Sequence, residues 1–412
     1  MISKFQDIRE EISEIEALPG KRWFRTLDAA VIEADRCIRC GTCVTACPSG
    51  SISIAEDDRP TLVRMCTGCS RCWDFCPRSG LRYESVWQLI GDRANAGGLG
   101  TVQTAYTART KSERLRASAQ DGGVITTILE TLLTAEENGI DGALIAKQSR
   151  DRPWKGEAFL ATTVEALHQG AGSFYNQTMA LGYLNELNRA DLPPDPRIAI
   201  VGTPCEIVGI KALQQHPWEG SAGWQKKIDA VVYTIALMCT RNFDYDRLAF
   251  KLKQRDIELE AVGKIDVIEG ELHLYDKQGE VILQEDIRRF HDAALRGCDE
   301  CGDFTGKAAD ITVGSIGSRT GYSSVLIRTS TGGVAWEIAK PLLDYGELDD
   351  LQAVDRIERR NERRAVRFLR RSFDPDASLD IGVEDHLKAY TDSDRGPQPL
   401  NPNRVYQYEE VC

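Results

Sequence analysis

"CIRCGTCVTACPSG", residues 37–50, sets four cysteines at C-x2-C-x2-C-x3-C ahead of a proline. The pattern returns as "CTGCSRCWDFCP", where Cys66, Cys69, Cys72 and Cys76 precede Pro77. The second copy makes an internal repeat. A cubic 4Fe-4S cluster needs a thiolate at each of its four corners. One tight loop with two-residue gaps reaches three of them, and the fourth must come from elsewhere. In two-cluster ferredoxins the last cysteine of each run serves the other cluster. Cys37, Cys40, Cys43 and Cys76 are therefore assigned to one cluster, and Cys66, Cys69, Cys72 and Cys47 to the other. Zinc prefers separated cysteine pairs, often joined by histidine, and no histidine lies near this repeat. The spacing predicts a ferredoxin-like α+β domain over residues 28–85, holding two clusters that pass single electrons.

The rest of the chain bounds the partners. Its 412 residues allow two or three domains. A net charge of −12 and an isoelectric point near 5.1 argue against a nucleic-acid binder. The opening "MISKFQDIREEISEIEALPG" lacks the apolar core of a secretion signal. No apolar run approaches the ~20 residues of a membrane span, which leaves only peripheral membrane contact. A cytoplasmic protein is expected, in which the 13 cysteines are reduced rather than paired as disulfides. The sequence leaves the oligomeric state open.

After a Gly-rich joint at 97–100 the pattern changes to αβ alternation, expected to span 90–345. "SAQDGGVITTILETLLTAEENG" reads as a Gly-Gly turn entering a helix that stops near Gly139. "GALIAK", "RIAIVGTPC", "DAVVYTIALMC", "DITVGSIG" and "SSVLIRT" read as strands. "NQTMALGYLNELNR" has helical spacing, and "KIDVIEGELHLYDKQGEVIL" looks like a polar-faced meander. "GVAWEIAKPLLDYG" reads as a helix that Pro341 kinks or stops. An N-terminal helical arm is expected over 1–27, and an Arg-rich helix with an extended tail over 346–412. In "RIERRNERRAVRFLRR", residues 356–371, eight arginines follow helical spacing. The plain reading is a solvated face with Glu358 and Glu362 as partners. The alternative is a docking face for an acidic electron partner or a polyanionic coenzyme tail.

A second cysteine set, Cys205, Cys239, Cys298 and Cys301, lies at strand ends or in loops, where α/β domains place their sites. Spacing alone leaves three readings open: a third cluster, a zinc or redox C-x2-C pair, and ordinary buried thiols. The surrounding motifs "QDGGVITTIL", "GSFYNQ", "VGTPCEIVGIKAL", "MCTRNF", "GCDECGDFTGKAADITVGSIG" and "SSVLIRTSTGG" resemble the coenzyme F420 hydrogenase/dehydrogenase beta-subunit family, in order from about 90 to 335. The resemblance implies that Cys205, Cys239, Cys298 and Cys301 ligate a third 4Fe-4S cluster. It also implies FAD, with coenzyme F420 as substrate and a redox partner protein or ferredoxin beyond. The expected fold is thus an α+β ferredoxin-like N-terminal domain joined to an α/β flavin-binding domain with a mixed sheet.

For the flavin the candidates are Gln120, Gly122 and Gly123 before a helix, and Ser315 and Gly317 in a second turn. Asp121 would repel phosphate, so it is expected to cap the helix or face ribose. No G-x-G-x-x-G run follows a strand, so a Rossmann site is not supported. Arg296 and Lys307 are candidates to steady an anionic cofactor. His291 could assist a proton, although the five histidines are scattered and no catalytic acid or base is assigned. Deazaflavins carry hydride and clusters carry single electrons; a flavin bridges the two because it does both. The expected activity is oxidation of reduced F420, or reduction of F420, with single electrons passed to or from a partner. Two alternatives stand beside it. One is a ferredoxin-dependent reductase of a chlorophyll-type pigment, whose family branch lacks the doubled cysteine run. The other is a non-catalytic electron-transfer subunit.

Overall fold

The apolar runs at 142–148, 198–202 and 231–237 become neighbouring strands because each is too uniformly apolar for a surface helix and too short for a buried one. The computed structural model describes residues 22–79, 98–189, 191–217 and 222–369. The expected arm over 1–21, the 80–85 end of the ferredoxin-like domain and the tail from 370, with Arg370, Arg371 and Cys412, lie outside the described residues.

In chain order the strands are β1 (Ile52–Ile54), β2 (Pro60–Leu62), β3 (Thr104–Thr110), β4 (Gly142–Gln148), β5 (Gly156–Ala161), β6 (Ile198–Gly202), β7 (Val231–Leu237), β8 (Val262–Ile268), β9 (Glu271–Asp276), β10 (Val281–Asp286), β11 (Ile311–Gly314), β12 (Ser323–Ile327) and β13 (Leu343–Glu347). Eight of them form one mixed sheet in the order β13-β3-β12-β11-β7-β6-β4-β5. The central four, β4, β6, β7 and β11, run parallel, and the outer pairs are antiparallel. Alternate side chains enter two cores. Leu144, Ile198 and Ile200 face one layer, whereas Ala143, Ile145 and Ala199 face the other. The expected meander is β8-β9-β10, a separate antiparallel sheet.

Six helices matter for the site: α1 (Thr42–Ala46), α2 (Arg71–Asp74), α3 (Val124–Thr134), α4 (Pro204–Gln215), α5 (Ser330–Ala339) and α6 (Leu351–Leu369). α3 starts at Gly123, whose φ of 67° suits a residue without Cβ, and buries Val124, Ile128, Leu129 and Leu132 on one face. Each such side chain contributes roughly 1.5–3 kcal/mol, and Leu132→Ala would cost about 2–5 kcal/mol. α4 is fixed by Thr203 as N-cap, Pro204 in the first turn and Glu206 completing a capping box.

Two expected helices are shorter than their patterns. "NQTMALGYLNELNR" gives a helix only at Ala180–Tyr183, which cannot start earlier because Met179 takes a left-handed backbone at φ 54°, and it continues as a 3-10 helix over Leu184–Arg189. "GVAWEIAKPLLDYG" stops at Ala339 ahead of Pro341, as expected. Its last residues are not helical, however, but form β13, which pairs with β3 at the sheet edge. Among the described residues no helix is long and apolar enough to cross a membrane.

Candidate functional site

The two cysteine loops share one backbone solution. In the first, Arg39 and Gly41 have φ of 53° and 79°; in the second, Gly68 and Ser70 have φ of 68° and 65°. These are the same two positions of the repeat. Left-handed residues there curl each loop around a common centre, and α1 and α2 then carry Cys47 and Cys76 away to the opposite loop. Cys37, Cys40, Cys43 and Cys76 line one space. Cys47, Cys66, Cys69 and Cys72 line another. The crossed pairing read from the sequence is the grouping found. Donors already point at sulfur: Arg39 N to Cys37 Sγ at 3.4 Å, Ser51 N to Cys47 Sγ at 3.3 Å, and Arg78 N to Cys76 Sγ at 3.4 Å.

Burial pushes the Cys40 thiol up to about 12 and Cys43 and Cys72 well above the ordinary value, and neighbouring cysteines add to the rise. Such thiols ionise together only around a strongly cationic centre, which an iron–sulfide core supplies. The donor set and the space fit that group.

The second set also converges. Cys205 is the second residue of α4, where helix N-terminal amides favour a thiolate, and Thr203 Oγ1 lies 3.1 Å from its sulfur. Cys239 follows β7, and its N–H donates to Phe304 O at 2.9 Å, tying it to the loop that holds Cys298 and Cys301. Burial raises Cys239 well above the usual thiol value; Cys298 and Cys301 add to this, and Arg364 opposes it. Burial likewise raises Cys205, with Cys40 and Cys301 adding to it. Cys205 therefore stands between the second set and the first ferredoxin loop; Ile38, Cys40 and Cys205 pack together with Cys298 beside them.

The two domains are clamped at this point. Arg36 Nε and Nη2 grip the Glu300 carboxylate at 2.9–3.3 Å, with both side chains buried. Arg78 Nε donates to Gly297 O at 2.7 Å. A Cβ on Gly297 would fall 2.0 Å from Arg36 O, so the backbones touch.

Two of the flavin candidates lie beside the start of β12, Gly122 against Ser323 and Gly317 against Ser324. The Gly122 N–H donates to Ser323 Oγ at 3.1 Å, and a Cβ there would meet Ala108 O at 2.5 Å. Gly122 is thus required for close packing, and its amide is already used. Gln120 Nε2 donates to Ile265 O in β8, and Gly317 O accepts from Asp350 N. Ser315 is exposed. The two turns therefore offer no cradle of free glycine amides, and Gly123 opens α3. Asp121 does not cap the helix, since Gly123 holds that position. Burial pushes its carboxyl up to about 6; Asp266 adds to this and Lys264 opposes it. Tyr175, also raised by burial, feels both carboxylates. This cluster of Asp121, Asp266, Lys264 and Tyr175 escaped the sequence reading because its members come from three separate segments.

Three expectations are corrected. Lys307 is fully buried and pairs with Glu358 and Glu362 at 3.3 and 2.8 Å. Arg296 is buried against Asp35 at 3.7 Å. Both are structural cations, held where an anionic cofactor would have to displace a carboxylate. Glu358 and Glu362 in turn are not surface partners of the arginines. Glu358 faces inward and accepts from the Phe304 and Thr305 amides, because α6 packs on the Cys298–Cys301 segment. His291 is half-buried in a 3-10 turn, away from the other histidines in the sequence.

Residues 29–86 match the 4Fe-4S dicluster domain. Residues 105–185 and 195–350 match the N-terminal and C-terminal parts of the coenzyme F420 hydrogenase/dehydrogenase beta subunit. The chain is 32% identical to the coenzyme F420-dependent sulfite reductase of Methanocaldococcus jannaschii over 79% of its own length, and spans about half (49%) of that protein. It is 27% identical to one of the subunits of the F(420)H(2) dehydrogenase of Methanosarcina mazei, over 77% of this chain and 86% of that one. A chain of the F420-reducing [NiFe] hydrogenase complex from Methanosarcina barkeri superposes with a TM-score of 0.59 at 25% identity, covering 66% of this chain and 92% of that one. The protein belongs to the coenzyme F420 hydrogenase/dehydrogenase beta-subunit family and carries a 4Fe-4S dicluster domain ahead of it.

Proposed function

We propose that this chain is an iron–sulfur flavoprotein that oxidises reduced coenzyme F420, or reduces F420, and exchanges single electrons with a redox partner. The observation that carries the reading is the continuous row of cysteine sets. Cys239, Cys298 and Cys301 adjoin Cys205, which adjoins Cys40; Cys43 in turn adjoins Cys72 of the outer set. Each four-cysteine set would hold one 4Fe-4S cluster, and the Gln120–Gly123 and Ser315–Gly317 turns would hold FAD. When bound, FAD takes up an electron pair as hydride and releases it singly, and the clusters carry one electron each.

The chain's own residues do the positioning. Backbone N–H groups and the Thr42 and Thr203 hydroxyls aim at sulfur, and burial keeps water from the inner thiols. Arg36, Arg78 and Glu300 fix the spacing between the two domains. Asp121, raised to about 6, offers a carboxyl that changes protonation near neutral pH beside Asp266 and Lys264. The similarity to F420-linked reductase and dehydrogenase components supports F420 as the hydride carrier.

The test is stopped-flow mixing of anaerobic, flavin-loaded protein with reduced F420. Bleaching of the flavin band followed by viologen reduction is expected. Full flavin loading without bleaching rejects F420, and recovery of the band when dithionite-reduced protein is mixed with a chlorophyll-type pigment instead would select the pigment reductase. Intact clusters without flavin would leave an electron-transfer subunit.

A further inference from the structure

α6 begins at Leu351, just beyond the matched family segment ending at 350. Its inward stripe carries Glu358, Asn361, Arg364 and Ala365, spaced three and four apart. The stripe is anchored on either side of the cysteine loop. Glu358 accepts from Phe304 N at 3.2 Å and Thr305 N at 2.9 Å. Two turns on, Arg364 Nη2 donates to Thr240 O at 3.0 Å and Cys298 O at 3.1 Å, the carbonyls of Cys298 and of the residue after Cys239.

Asn361 lies between these anchors and is 1% exposed, yet neither its amide oxygen nor its amide nitrogen has a partner. Arg364 Nε is buried and unpartnered as well. A buried amide without a hydrogen bond is destabilising, and leucine would fill the same volume without that cost. Among the described residues no acceptor reaches these donors, and the cysteine set that the helix covers would bring sulfur.

We propose that Asn361 Nδ2 and Arg364 Nε donate to the sulfurs of the cluster at Cys205, Cys239, Cys298 and Cys301 and raise its reduction potential. The inference rests on reading those four cysteines as ligands. Reduction adds one electron, supplied by reduced F420 or dithionite, and no bond is made or broken. N–H donors and a guanidinium favour the more negative product, so the potential rises. Both are positioning residues that act on the cluster and not on substrate.

The experiment is an EPR-monitored redox titration of the full chain, comparing wild type with N361L, N361Q and R364M. Wild type is read first. A missing third signal, with about eight irons instead of about twelve, rejects the ligand assignment itself and is a separate failure. With the third signal present, N361L and R364M should each move its midpoint to more negative values. The two dicluster midpoints should stay in place, and N361Q should recover part of the shift. An unchanged third midpoint in both N361L and R364M overturns the proposal. If N361L loses the third cluster, R364M decides by the same criterion. Loss in both variants overturns tuning in favour of a purely scaffolding helix.

Discussion

Asp121 is a carboxyl that folding makes harder to ionise. Burial holds its value near 6, above that of the unfolded chain. The stabilisation from a neutral Asp121 is therefore complete below about pH 4 and is lost as the pH rises through about 6. Asp121→Asn should raise Tm at pH 8 and leave it nearly unchanged at pH 4; an equal rise at both would contradict the burial argument. At the cysteines the prediction is compositional. Cys298→Ala should lower iron from about twelve to about eight atoms per chain and leave both dicluster signals, measured by iron assay with EPR. A drop in the dicluster signals as well would show that the sets are not independent. The dicluster cysteines were legible in the sequence because their spacing is itself the geometry. Cys205, Cys239, Cys298 and Cys301 were assigned to a third cluster only through the family resemblance and not through their spacing, since strands far apart in the chain meet only after the sheet forms.

At the scale of elements, α6 shows how much periodicity leaves undetermined. Eight arginines at helical spacing look the same whether the helix lies on water or on protein, so Glu358 and Glu362 read as surface partners. In the structure they reach inward to Lys307, and the helix closes over the Cys298–Cys301 segment. Removing one partner of a buried pair costs about 3–5 kcal/mol. Glu358→Ala should destabilise by about that amount in urea unfolding. A cost under about 1 kcal/mol would mean that Glu362 compensates alone. The strand hidden in "LLDYG" was missed for a related reason. Pro341 signals the end of a helix but not the conformation of the residues after it, and β13 exists because β3 offers an open edge.

For the whole molecule the decisive contact is backbone against backbone, Gly297 on Arg36. Any side chain at 297 must push the two domains apart. Gly297→Ala should slow viologen reduction while flavin bleaching by reduced F420 keeps its rate, as followed by stopped flow. Equal slowing of both phases would place the effect elsewhere. The α/β class and the ferredoxin-like unit were readable from the chain, but this junction was not, because a lone glycine in "RGCDECGD" carries no mark of its partner. The outermost loop has one more consequence. Cys37, Cys66, Cys69, Cys239, Cys298 and Cys301 are all half-covered, but only Cys66 has a neighbour as open as Met65, which is 62% exposed, whereas Cys40, Cys43, Cys72 and Cys76 are buried. Dioxygen and peroxide will meet that corner first. Aerobic handling should therefore bleach the protein in stages, starting from that open corner, with the interior sulfur chemistry the last to decay.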